Sequence, residues 1–120
     1  MLEVYYLLIW NFLIHCKKSG LHPILCIKNP KEEIVSKFIN RAGAFEKDII
    51  NNLIKSMEAY PSAVFLDVGS QLGCFTVVIA AMRRKVIAVD ADSRNLAFIR
   101  QSLEIGNARK YVELINNIVR

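Results

Sequence analysis

The chain is poor in the residues that build metal centres and disulfide scaffolds. Its three cysteines, Cys16, Cys26 and Cys74, are an odd number with no pair at ligand spacing. That pattern argues against both a disulfide framework and a zinc site, and it marks the thiols as reduced. The two histidines, His15 and His22, have no partner residues at metal-binding spacing, so packed or surface roles are their default. Charge of one sign is also in short supply: 16 basic against 11 acidic residues leave a net charge of +5, short of the basic stripe of a dedicated nucleic-acid binder. The densest basic runs, Arg83-Arg84-Lys85 and Arg109-Lys110, fall between expected helices and strands. They read as solvated loop ends, with a phosphate-bearing substrate as the sharper alternative. What the chain has in quantity is apolar: 53% hydrophobic against 22% charged residues, too apolar for disorder and enough for one real core. Over 120 residues that core belongs to a single domain.

Residues 1–16 concentrate this character, broken by Glu3, Asn11 and His15 and followed by Lys17-Lys18. A cleaved signal would carry positive charge before its apolar core and small residues after it, whereas here the leading charge is Glu3 and no small-x-small site follows. A membrane span needs about 20 apolar residues, more than this run offers. Lys17-Lys18 would nonetheless hold the following chain on the cytoplasmic side. Three readings stay open for residues 1–28: a weak membrane anchor, a translated leader, or a segment docked on the domain. The expected location is cytoplasmic, with membrane contact through residues 1–16 as the variant.

From residue 29 the punctuation turns regular. Asn29-Pro30 offers an N-cap and a proline at the first helical position, and Glu32 and Glu33 suit the positive end of a helix. Ile34, Val35, Phe38 and Ile39 give it an apolar stripe, and Gly43 closes it. A second helix is expected over residues 45–59, with Ile49, Ile50, Leu53, Ile54 and Met57 on one face and Pro61 as its limit. The period then changes. Residues 63–66 form a short unbroken apolar run that ends in Asp67-Val68-Gly69, which predicts a strand buried on both faces, as in parallel sheets. Helical spacing follows over 73–82, a strand over 86–89, a helix marked by Leu96, Ile99 and Leu103 and stopped at Gly106, and a strand over 111–115. The order βαβαβ makes the fold class α/β, a partial doubly wound parallel sheet over residues 63–120 preceded by a helical extension over 29–62. Its ligand crevice belongs at the carboxyl ends of the strands.

Chemistry concentrates at two of those ends. In Asp67-Val68-Gly69-Ser70-Gln71-Leu72-Gly73 the glycines let the chain turn sharply out of the strand and let a ligand approach backbone N–H groups at the start of the helix. Asp90 closes the second strand, where a carboxylate can accept both hydroxyl protons of a ribose. A dinucleotide site uses Gly-x-Gly-x-x-Gly to seat a pyrophosphate, but this loop reads Gly69-x-x-x-Gly73 with Asp67 two residues ahead. An anion is unwelcome beside Asp67, whereas the ammonium and sulfonium of S-adenosylmethionine suit it. The loop chemistry therefore favours that cofactor over NAD. Cys74, inside the same stretch, reads as a small apolar packing residue rather than a nucleophile.

The run from Phe65 to Gly73 resembles motif I of class I S-adenosylmethionine-dependent methyltransferases and, more narrowly, the FkbM family, whose Phe/Leu-Asp-x-Gly-Ala-Asn-x-Gly pattern it follows. Ser70 and Gln71 stand where that family has Ala and Asn. Gly43-Ala44-Phe45-Glu46 resembles the family's Gly-x-Trp/Phe-Glu element, so the similarity spans roughly residues 30–120. The resemblance implies that Asp67 and Gly69 face the methionine part of the cofactor, that Gly73 gives it backbone clearance, that Asp90 holds the ribose, and that Ser70 belongs to the same cofactor-binding set. It further implies that Asn116 and Asn117 lie near the adenine. Bland alternatives stand beside these roles: Asp67 capping the next helix, Asp90 capping the helix that begins near Ser93, the asparagines as turn residues, and Glu46 as a first-turn acid.

After the third strand the chain ends at Arg120, which reads as half of a doubly wound sheet. No residue is singled out as catalytic, because no candidate base has a defined partner. Two functions follow as expectations. One is an FkbM-type enzyme in truncated form, moving a methyl group to an oxygen of a small molecule or glycan. The other is a noncatalytic cofactor-binding fragment that pairs with a partner through its open sheet edge.

Overall fold

The computed structural model describes residues 6–9, 24–27 and 47–118. Two short strands, β1 (Tyr6–Ile9) and β2 (Ile24–Ile27), pair antiparallel with Tyr6 opposite Ile27 and Ile9 opposite Ile24. They were not foreseen from the apolar composition of the first 28 residues. The remaining elements are α1 (Lys47–Ala59), β3 (Phe65–Val68), α2 (Cys74–Ala81), β4 (Val86–Asp90), α3 (Ser93–Ile105), a 3-10 turn at Arg109–Tyr111, and β5 (Val112–Asn116). Strands β3, β4 and β5 form a parallel sheet in that order, with Asp67, Ala88 and Leu114 in register across it. The chain is thus α/β, with a three-stranded parallel sheet and three helices among the described residues. The expected helix near residues 30–43, the Gly43-Ala44-Phe45-Glu46 element and most of residues 1–16 lie outside the described residues. No helix among the described residues is long and apolar enough to cross a membrane.

Local sequence explains the elements that carry the core. Ile50, Ile54 and Met57 recur at helical spacing on α1 and are buried. The helix α2 is apolar almost all round and lies in the middle of the core, with Val77, Val78, Ile79 and Ala80 buried. Cys74 is buried at its first residue, in the packing role expected of it. Asp92 caps α3 by accepting a hydrogen bond from the Arg94 amide, and Gly106 ends the helix. The alternative that gave this cap to Asp90 is therefore corrected. Strand β2 runs alongside α3. Burying each of the fully enclosed Ile50, Ile54, Ile79 and Ile99 is worth about 1.5–3 kcal/mol.

Arg84 corrects the reading of the basic runs as solvated loop ends. Its guanidinium donates to the carbonyls of Met57 at 2.6 Å, Tyr60 at 2.7 Å and Ala63 at 3.0 Å. Met57 lies in the last turn of α1, where carbonyls lack helical donors, and the Tyr60 carbonyl also accepts from the Ala63 amide at 3.0 Å as the chain turns toward β3. One planar fork therefore fixes the angle at which the first core helix hands over to the sheet.

The expectation that β3 is buried on both faces is also corrected. Phe65, Asp67, Val86, Ala88 and Val112 project toward the helices and join or border the core. The alternating residues Leu66 and Val68 are 58% and 53% exposed. Residues of a strand alternate between faces, and along β3 the described elements cover only the face that carries Phe65 and Asp67. The apolar run in the sequence encodes a face that the described elements leave uncovered.

Candidate functional site

Three of the five residues between Gly69 and Gly73 adopt left-handed backbone: Gly69 (φ 74°), Gln71 (φ 50°) and Gly73 (φ 86°). This coil folds the loop back onto the end of β4. The amides of Gly69 and Ser70 donate to the Val89 carbonyl at 2.8 and 3.1 Å. The Gln71 amide donates to Asp90 Oδ2 at 2.8 Å, and the Gly73 amide to the Ser70 carbonyl at 2.8 Å. Loop donors that an anionic ligand would require are thereby satisfied within the protein. The expected approach of a ligand concerned the backbone N–H groups at the start of α2, which begins at Cys74, one residue beyond these four.

The two glycines do different work. At Gly69 a Cβ would meet nothing within 4 Å, so a side chain there would project into open space beside the loop. At Gly73 a Cβ would lie 2.8 Å from Cγ1 of the fully buried Ile99. Glycine at 73 therefore lets α2 approach α3 closely, a packing role beside the clearance inferred for it.

Asp67 lies one residue before the end of β3, and Asp90 ends the neighbouring β4. Asp67 is 6% exposed, and its Oδ2 accepts a hydrogen bond from Thr76 Oγ1 at 2.6 Å. Burial pushes its carboxyl above the ordinary value of 3.8; hydrogen bonds from Thr76 oppose that rise, and the charge of Asp90 adds to it. The hydroxyl of Thr76 thus tethers Asp67 to the first turns of α2, close to the capping alternative. As a hydroxyl in an otherwise apolar helix, Thr76 was legible in the sequence and was missed.

Asp90 is the hub. Its Oδ2 accepts from the Gln71 amide, and its Oδ1 accepts from the Asp92 amide at 2.8 Å and Asn95 Nδ2 at 3.3 Å. An ionised carboxylate offers about four acceptor positions, so one remains open. A second opens only if the long Asn95 contact is exchanged. Around the same point, Asn116 Nδ2 donates to the Asp90 and Ala91 carbonyls at 3.1 Å each, and the Asn117 amide donates to the Asp90 carbonyl at 3.1 Å. Asn116 is therefore a staple between β4 and β5, while the Asn117 side chain is exposed and accepts from the Ile118 amide. Ser70 is buried, with its hydroxyl 3.5 Å from the Val89 carbonyl.

The predicted residues Asp67, Gly69, Ser70, Gly73, Asp90 and Asn117 accordingly gather at the carboxyl ends of β3, β4 and β5. The loop from Asp67 to Gly73 contains no Lys or Arg, and Arg94 nearby is paired with Asp92 at 3.0 Å. The acids Asp67 and Asp90 thus stand at this end of the sheet with no basic side chain in the loop between the strand and α2. Among the described residues, no group of three His, Cys, Asp or Glu side chains is placed to hold a metal. No family model matches the chain, and neither a curated protein nor a solved structure matches it.

Proposed function

We propose that this chain is an S-adenosylmethionine-dependent methyltransferase of FkbM type, acting on an oxygen of a small molecule or glycan. The residues described here would supply its cofactor half-site. One observation carries the reading: the amides of Gly69, Ser70, Gln71 and Gly73 are engaged inside the protein, so the loop offers a ligand carboxylates and open space rather than an anion cradle. When bound, the cofactor supplies an electrophilic methyl group on a sulfonium. The open acceptor position of Asp90 takes a ribose hydroxyl, and the negative charge of Asp67 and Asp90 favours the cationic methionine end. The space beside Gly69 admits the ligand to van der Waals contact with the backbone. Positioning of the acceptor oxygen in line with the methyl group is the remaining requirement for transfer.

Equilibrium dialysis with labelled S-adenosylmethionine tests this reading. The native chain should bind saturably, and Gly69→Ala, which places a methyl group in the open space, should weaken binding while the fold persists. Unchanged binding in that variant would contradict the placement of the ligand.

The second reading, a noncatalytic cofactor-binding half that assembles with a partner through a sheet edge, is favoured by a separate observation. Among the described residues β3 and β5 each pair on one side only, leaving two edges with free backbone groups. Methyl transfer by the chain alone to an oxygen acceptor would decide for the enzyme. Cofactor binding that yields transfer only after a second chain is added would decide for the half-site.

A further inference from the structure

The two basic runs, far apart in sequence, converge in space. Strands β4 and β5 are adjacent and parallel, so Lys85, just before Val86, and Lys110, just before Tyr111, stand together at the amino end of the sheet. That end is opposite the Asp67 and Asp90 loop. There Lys85, Lys110, Tyr111 and Glu113 line a cavity of about 380 Å³ with Val64 and Ile87 in its apolar wall. Within the described residues the ion pair present is Arg94 with Asp92, and neither lysine has a carboxylate in salt-bridge range. The Lys110 ammonium lies 5.3 Å from the centre of the Tyr111 ring, and Arg83 donates to the Tyr111 phenol oxygen at 3.2 Å. That hydrogen bond, reinforced by the charges of Lys110 and Arg83, holds the phenol below its ordinary value of 10.0, as a cationic surrounding must. From the cavity the sheet face that the described elements leave uncovered continues through Leu66 and Val68, both more than half exposed.

We propose that this groove binds a small anionic amphiphile, a carboxylate or phosphate head on a hydrocarbon body. The head lies between Lys85 and Lys110, and the body lies along Val64, Ile87 and Leu66. The volume falls within the range of small-molecule sites, about 300–1,000 Å³. An inorganic anion would leave the apolar wall in water, and a neutral hydrocarbon would leave two ammonium groups without a counter-charge. A ligand that joins the two parts uses both. Glu113 is the acid in the groove and opposes the head, so the native chain binds less tightly than its lysines alone would allow.

The test is a titration of the 120-residue chain with decyl phosphate and with decanoate below their micelle concentrations, against inorganic phosphate and decanol. The expected result is saturable binding of at least one amphiphile, about tenfold or more tighter than either comparison compound; which amphiphile binds better identifies the head. The double variant Lys85→Ala/Lys110→Ala should weaken that binding by about tenfold or more, while Glu113→Gln should tighten it. Both changes are at exposed side chains, and circular dichroism of each variant confirms the fold. Asp90→Ala, at the other end of the sheet, should leave amphiphile binding unchanged. Equal affinity for decanol, equal affinity for inorganic phosphate, or a Glu113→Gln variant that binds no better would overturn the proposal.

Discussion

Two glycines separated by three residues should respond very differently to the same substitution. At Gly73 an alanine must hold φ near 86°, at a cost of about 1–2 kcal/mol for a side chain in left-handed backbone. Its Cβ would also sit 2.8 Å from Ile99 Cγ1, in a side chain with no exposed surface. Such overpacking adds about 1–3 kcal/mol, so Gly73→Ala should destabilise the fold by about 2–5 kcal/mol, a large part of a domain's usual margin. At Gly69, with φ 74° and no atom within 4 Å of the new Cβ, only the backbone cost of about 1–2 kcal/mol applies. Urea unfolding followed by circular dichroism measures both. The packing component is isolated by a double-mutant cycle with Ile99→Ala. That change alone costs about 2–5 kcal/mol through the cavity it leaves, and the double variant should fall short of the sum by about 1–3 kcal/mol because each change relieves the other. An additive cycle, or equal losses at the two glycines, would refute the assignment of Gly73 to helix packing.

Further outcomes follow from the same geometry. Gln71 holds φ 50° with its side chain exposed, and Gln71→Asn, which tolerates that conformation better, should raise stability by about 0.5–1 kcal/mol in the same assay. Arg84→Ala should cost about 1–3 kcal/mol by removing the guanidinium donor to the Met57 and Ala63 carbonyls, while the Tyr60 carbonyl keeps the Ala63 amide; Arg84→Lys should recover little of it, since an ammonium cannot span the fork. Asp67, with its folded pKa above 3.8, binds its proton more tightly in the native state than in the unfolded chain. Its contribution to stability is therefore present in full below 3.8 and is lost as pH rises through the folded value. Asp67→Asn should flatten that fall in a series of unfolding curves across acid pH and hold stability at neutral pH, yet weaken S-adenosylmethionine binding. A steeper fall in the variant would contradict the burial argument.

From α1 onward the order of elements was legible because α1 and α3 carry apolar stripes, α2 is apolar almost all round, and β3 and β4 are short, mostly apolar runs bounded by turn residues; β1 and β2 were not legible. Gly106 and the apolar residues Leu96, Ile99 and Leu103 placed α3 closely. Burial was less legible: Leu66 and Val68 are as apolar as residues of a strand enclosed on both sides, and composition does not record which face finds a cover. At the site, Asp67 and Asp90 stood out as acids ending apolar runs. The residues that hold them, Thr76, Asn95 and the capping Asp92, are common turn and helix residues whose roles arise only when the loop folds back. Arg84 was hidden in a basic run, since a guanidinium that caps a helix and one in solvent are spelled identically.

The claim at the centre of this account is that the loop selects a cationic nucleoside over a pyrophosphate. Its most direct test is a calorimetric titration of the native chain with S-adenosylmethionine and, separately, with NAD, with Asp90→Ala as the control and circular dichroism to verify folding. The account predicts one saturable site for S-adenosylmethionine, lost in Asp90→Ala, and no heat of binding for NAD. A folded chain that binds NAD, or that binds neither compound, would contradict it.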